Sequence, residues 1–180
     1  MNALKVLLKN GNEAILRDVR WNDLDDILEI FNSLAEEDEI IKYLGIVKKR
    51  KKKDYVITFS KIMANVTLGK EIRIVAEING KVVGFVSIKI DGNGFRHRGW
   101  LGILIRREFR NMGLGTKMLE LAIKEAKERG LKLILLETSS LNKRAIHVFK
   151  KVGFKEIGRI PKGLKINEKY VDTIIMALIL

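Results

Sequence analysis

The chain has 180 residues, about the length of one domain, and its 47% hydrophobic content is enough to bury a sizeable core. It holds no cysteine and only two histidines, which excludes a disulfide framework, a thiol nucleophile and a zinc–cysteine site, so no metal is expected. Lys and Arg number 35 against 22 Asp and Glu, a formal charge of +13 that calls for an anionic partner: nucleic acid, an acidic protein or a small polyanion such as a nucleotide cofactor.

Glu13 to Arg20 has strand character, and Asn22 fits the N-cap of a helix whose apolar stripe runs Leu24, Ile27, Leu28, Phe31. Lys48 to Lys53 is an unbroken basic run, read as a solvated loop between helices, with contact to an acidic substrate or RNA as the alternative. A second helix is expected from Asp54 to about Leu68, with Val56, Phe59, Ile62, Met63 and Val66 on one side. Ile72 to Ile78 and Val82 to Ile90 are strands joined across Asn79-Gly80, a strong hairpin signal. After a turn at Asp91 to Gly94, Trp100 to Ile105 is almost uninterruptedly apolar, as a central strand requires. From Gly113 a helix carries Leu114, Met118, Leu121, Ala122 and Ala126 on one face, with Gly130 as its stop. Leu131 to Thr138 is a strand and Asn142 to Val152 a helix with stripe Ala145, Phe149, Val152. Two strands close the chain, Phe154 to Ile166 and Lys169 to Leu180, and Pro161 places an edge or a bulge in the first of them. No linker or repeat interrupts residues 1–180, so a single domain is expected.

The stretch from Trp100 to Thr116 carries the chemistry. A buried strand runs into Arg110-Asn111-Met112-Gly113-Leu114-Gly115-Thr116 and then a helix, and a strand, a glycine turn and a helix make an anion site. The first N–H groups of a helix are unpaired and lie at its positive dipole end, and glycine lets a phosphate approach the backbone. A Walker loop is excluded, because Gly113 to Lys117 reads GLGTK with too short a glycine spacing. A dinucleotide fingerprint is excluded as well, since it needs a third spaced glycine and an opening βαβ unit.

Arg110 to Gly115 resembles the Arg/Gln-x-x-Gly-x-Gly/Ala signature of the GNAT superfamily of N-acetyltransferases, which use acetyl coenzyme A. Asn142 to Phe154 is similar to the same family's Asn-x-x-Ala-x-x-x-Tyr-x-x-x-Gly-Phe segment, with its spacing intact. The resemblance covers about Ile72 to Leu180, including an ending from Gly158-Arg159 through Tyr170-Val171-Asp172 that looks like small-molecule and amino-acid acetyltransferases. It implies a mixed α/β domain of about six to seven strands, largely antiparallel with one splayed parallel pair, flanked by about four helices. It further implies that Ile103, Leu104 and Ile105 pair with the pantetheine arm, that Arg110 to Thr116 hold the pyrophosphate, and that Asn142 contacts the pantetheine arm while capping its own helix.

Phe149 departs from the family pattern, for that position is often a tyrosine thought to protonate the departing thiolate. A thiol of pKa about 8.5 is already a tolerable leaving group near neutrality, so loss of the acid weakens transfer without forbidding it. No decisive base stands out. Glu137 ends a strand beside the expected cleft and Tyr170 is the best substitute acid or substrate contact; Glu77, His97 and His147 read as structural or solvent-facing. The expected activity is therefore acetyl transfer from acetyl coenzyme A to a primary amine by direct attack, the acceptor being a small molecule or a peptide. An α-amine is favoured over lysine because about a tenth of it is neutral at pH 7.

Two alternatives stay open: a basic nucleic-acid-binding protein and a coenzyme A-binding sensor without turnover. The longest apolar run, Ile174 to Leu180, is far short of the roughly 18 residues of a membrane span, so a cytoplasmic protein is expected, with a homodimer compatible. The absence of cysteine and glutamine beside abundant lysine, glutamate and isoleucine matches heat-adapted proteins.

Overall fold

The computed structural model of the chain describes residues 2–37, 49–166 and 168–180. Among them are eight strands in one sheet: β1 (Leu4–Leu7), β2 (Glu13–Asp18), β3 (Glu71–Ile78), β4 (Lys81–Ile90), β5 (Arg98–Ile105), β6 (Leu133–Ser139), β7 (Lys155–Ile166) and β8 (Lys169–Ile179). Four α-helices accompany them: α1 (Leu24–Leu34), α2 (Lys52–Thr67), α3 (Leu114–Glu128) and α4 (Lys143–Lys151). No helix among the described residues is long and apolar enough to cross a membrane.

The spatial order is β1-β2-β3-β4-β5-β6-β8-β7, antiparallel throughout except for β5 beside β6. The strand alternation sorts side chains onto two faces. Ile72, Ile74 and Ala76 of β3 join Ile134 and Leu136 of β6 in a core covered by α3 and α4. Val75 and Phe85 instead meet Ile27, Ile30, Tyr55 and Phe59 of α1 and α2 in a second core on the other face. The sheet is thus the middle of three layers.

Several local readings hold. Asn79 and Gly80 both take positive φ, 51° and 75°, as a two-residue hairpin between β3 and β4 demands. β5 is central in the order, and β7 is an edge strand whose register slips between Ile160 and Leu164, around Pro161.

Four readings need correction. The sheet has an additional strand, β1, which makes eight rather than six or seven. The first helix is preceded by a 3-10 turn over Trp21–Asp23, whose N-terminus is capped by the Asp23 carboxylate accepting from Arg20 N at 2.7 Å; Asp23, not Asn22, holds the N-cap position of α1. Tyr55, Phe59 and Met63 form the buried stripe of α2, whereas Val56 is exposed. That helix starts at Lys52, so the end of the basic run lies in its first turn rather than in a loop. Lys48 lies outside the described residues; Lys49 pairs with Glu36 and Lys52 with Asp25.

Candidate active site

The parallel pairing of β5 and β6 is short. It joins Arg98, Gly99 and Trp100 to Leu133, Ile134 and Leu135, and no further residue pairs. Beyond it β5 stays with β4 as far as Ile105, while β6 follows β8 as far as Ser139. The two strands part, and the β6-facing edge of β5 from Leu101 onward has no strand partner among the described residues. An extended ligand can supply that partner, since backbone N–H and C=O groups seek hydrogen bonds.

A cleft of about 670 Å3 opens at this parting. Ile103, Leu104, Ile105, Arg110, Asn111, Met112, Gly113, Gly115, Thr116, Asn142 and Phe149 all line it, so the structure gathers nearly every expected cofactor residue. Leu114 is the exception: its side chain is fully buried in the core under α3, leaving only its backbone at the helix start.

The turn before α3 is built for close approach. Asn111 and Gly113 both lie in the left-handed region, at φ 65° and 85°, and Gly113 is the N-cap. Gly115 serves packing instead, because a Cβ there would meet Ile105 Cδ1 at 3.3 Å, so α3 could not seat as tightly on β5. The first-turn N–H groups of α3 then point out at the positive end of the helix dipole.

Arg110 lines the cleft and also makes contacts that the signature does not announce. Its Nε donates to Ile105 O at 2.8 Å, and its Nη1 and Nη2 donate to the two Glu37 oxygens at 2.6 and 2.9 Å. Both side chains are nearly buried. The guanidinium thus ties the end of β5 to the chain just after α1.

The other cations at the cleft sit at positions that neither motif specifies. The β1–β2 hairpin brings Leu7 and Lys9 to the cleft; Lys9 N donates to Met112 O at 3.1 Å, and the Lys9 stem lies beside Gly113. Arg144 and Lys151 line it from α4, and among the described residues neither they nor Lys9 pairs with a carboxylate. His147 is exposed, as expected, yet it also lines the cleft. Leu34, at the end of α1, lines it from the opposite side of the sheet. Arg144 lies within the Asn142 to Phe154 segment at a position its pattern leaves open, only the excess of positive charge hinted at Lys9, and nothing local marked Leu34.

Asn142 caps α4, its Oδ1 accepting from Ala145 N at 3.2 Å, while lining the cleft. Phe149 packs on Phe154 with ring centroids 6.0 Å apart, an apolar wall at the position where the family motif often has tyrosine.

Glu137 is exposed and does not line the cleft. Its neighbours Leu136 and Ile134 face α3 and α4, at alternating positions, so Glu137 faces the α1/α2 side. Continuing the β5–β6 register places Glu137 level with Gly102 across the opening. Tyr170 is more than half exposed, pairs with Lys165 next to the turn of the β7–β8 hairpin, and does not line the cleft. It precedes Thr173, where β8 meets the last residue of β6, and therefore lies past the parting. Glu77 is consumed by structure: Arg17 donates to it at 2.8 Å and to Asp23 at 2.8 and 2.9 Å. The Asp23 hydrogen bonds, with help from Glu77, raise the Arg17 pKa further and keep it charged. His97 is exposed, and its carbonyl accepts from Lys132 and Leu133 N.

The model of the Acetyltransferase (GNAT) family matches residues 17–154. An N-alpha-acetyltransferase of Sulfurisphaera tokodaii is 29% identical over 160 residues, covering 83% of this chain and 84% of that protein. Among solved structures, a ribosomal-protein-alanine N-acetyltransferase from Brucella melitensis superposes with TM-score 0.79 at 25% identity, over 92% of this chain and 99% of that one. The structure of yncA from Salmonella typhimurium with its cofactor acetyl-CoA shares the fold, with TM-score 0.79 at 23% identity over 92% of each chain. With the parted strands, the glycine turn and the α4 cap all lining one cleft, the chain belongs to the GNAT family of acetyltransferases, whose acyl donor is acetyl coenzyme A.

Proposed function

We propose that this enzyme acetylates the α-amino group of an amino acid or a peptide N-terminus by direct attack. The observation that carries the proposal is Glu137, an exposed carboxylate on the face opposite the cofactor helices, two residues beyond the last β5–β6 pair. The free edge of β5 would hold the pantetheine arm, with the thioester at the parting, and the first turn of α3, with Lys9 beside it, would hold the pyrophosphate. The acceptor enters from the α1/α2 face. Its nitrogen attacks the thioester carbonyl, the C–S bond breaks, and the proton that nitrogen sheds passes to Glu137, directly or through water. The thiolate leaves without an acid from Phe149 and takes a proton from solvent.

This base set suits the α-amine of a peptide N-terminus best. With a pKa of about 7.7–8.0, roughly a tenth of such an amine is neutral at pH 7, whereas a lysine of pKa about 10.4 is neutral in fewer than one molecule per thousand. The names of two relatives, an N-alpha-acetyltransferase and a ribosomal-protein-alanine N-acetyltransferase, support the same class. The test is competition among free amino acids, N-terminal peptides, polyamines and aminoglycosides, with coenzyme A release as readout. Turnover of amino acids or N-terminal peptides is expected. Exclusive polyamine turnover refutes the acceptor class, and donor binding without any product makes the chain a sensor.

A further inference from the structure

The cleft crosses the sheet. Ile103, Ile105, Leu119 and Phe149 line it and pack with the α3/α4 core, whereas Leu34 and Leu104 line it and pack with the α1/α2 core. A space bounded by both cores passes through the opening between β5 and β6. Its far end is therefore where Leu34 stands.

Leu34 is held there from two directions. It is 3% exposed and ends α1. One turn earlier on the same helix face, Phe31 packs on Phe85 and Tyr55 with centroids 5.5 and 5.6 Å apart, and Phe85 is paired with Leu104. Three residues later, Glu37 is locked to Arg110, which is locked to the end of β5. A side chain backed by packed rings and tethered at its helix end cannot swing aside cheaply, because close-packed interiors resist even single-methylene changes.

We infer that Leu34 is the wall that limits the donor's acyl group to acetyl. The inference rests on the reading that the thioester lies at the parting of β5 and β6. An acetyl group ends in one methyl, whereas a butyryl group carries two further methylenes, which must pass Leu34. A hydrophobic pocket discriminates about 10–200-fold per methylene, so the wild type should fall at least about tenfold in kcat/KM from acetyl to propionyl and again to butyryl. Leu34→Ala removes three carbons from the wall and should bring butyryl within about tenfold of acetyl.

The experiment measures kcat/KM for acetyl-, propionyl- and butyryl-coenzyme A with one fixed acceptor, together with the calorimetric Kd of each thioester relative to free coenzyme A. Should Leu34→Ala fail to fold, Leu34→Val, one carbon shorter, should admit propionyl and still exclude butyryl. A wild type that uses butyryl as well as acetyl overturns the inference, as does a folded variant with unchanged preference. A wild type that binds no acyl-coenzyme A at all instead overturns the underlying reading of the cleft, and this inference with it. A wild type that transfers acetyl, but whose preference Leu34 does not govern, overturns this inference alone.

Discussion

The Glu37–Arg110 pair gives the sharpest quantitative test of how the site is held together. The two side chains are 11% and 12% exposed, and their oxygens and nitrogens meet in two parallel hydrogen bonds of 2.6 and 2.9 Å. Removing one partner of a buried pair costs about 3–5 kcal/mol, chiefly because the other charge stays behind without its counter-ion. Residual exposure lowers that to about 3 kcal/mol for Glu37→Ala, which at about 2–4 °C per kcal/mol for a chain of this size means a Tm about 6–12 °C lower. Arg110→Met should cost a similar amount, since it strands Glu37 and removes the donor to Ile105 O. The double variant strands neither charge, so its loss should be smaller than the sum of the singles by at least about 1.5 kcal/mol. Denaturant melts of the four proteins measure the cycle, and acetyl coenzyme A titration of each reads the consequence for the cleft. Costs below about 0.5 kcal/mol that add without coupling would refute the strut and return Arg110 to the role of direct phosphate ligand.

Glu137→Gln keeps the size of the side chain but cannot take a proton, so kcat should fall by about 10²–10⁴ with little change in the KM for acetyl coenzyme A; an unchanged kcat removes Glu137 as base. Phe149→Tyr restores a proton donor beside the leaving sulfur and should raise kcat in single-turnover assays, whereas an unchanged rate means that thiolate departure does not limit turnover. On the acid side, the hydrogen bond from Lys81, aided by the charge of Arg106, lowers the Glu29 pKa from its ordinary 4.5. A depressed carboxylate stabilises the fold above its unfolded pKa and loses that contribution as pH falls through the folded value. The Tm difference between wild type and Glu29→Gln should therefore be present at pH 7 and shrink as pH drops below 4.5. Glu29 and Lys81 are each nearly half exposed, so this difference amounts to at most about 1 kcal/mol and should fade in ~1 M salt.

What the sequence made legible was what local physics decides. Asn79-Gly80 announces its hairpin because few residues accept two successive positive φ angles. Gly113 and Asn142 announce helix starts because unpaired N–H groups need a cap or an anion. The unreadable parts were set by distant partners. Leu4 to Leu7 is short and largely exposed, so only its pairing with β2 makes it a strand. The expected stripe of α2 begins at Val56, yet contacts with the rings of Phe31 and Phe59 place Tyr55 in the core instead. Lys9 and Leu34 reach the cleft from far along the chain, and the partner of Arg110 lies 73 residues away. A motif names the residue that is kept; it does not name what that residue touches.

The central claim is that the turn from Arg110 to Thr116 binds the pyrophosphate of acetyl coenzyme A. Calorimetric titration of the wild type, Gly113→Ala and Gly113→Glu tests it most directly. Both variants force a side chain onto the same left-handed backbone at φ 85°, so the difference between them isolates the carboxylate from the strain. The account predicts micromolar binding by the wild type, some loss in Gly113→Ala, and at least about a further tenfold loss in Gly113→Glu from charge repulsion at the helix start. No binding by the wild type, or equal binding by the two variants, would contradict it.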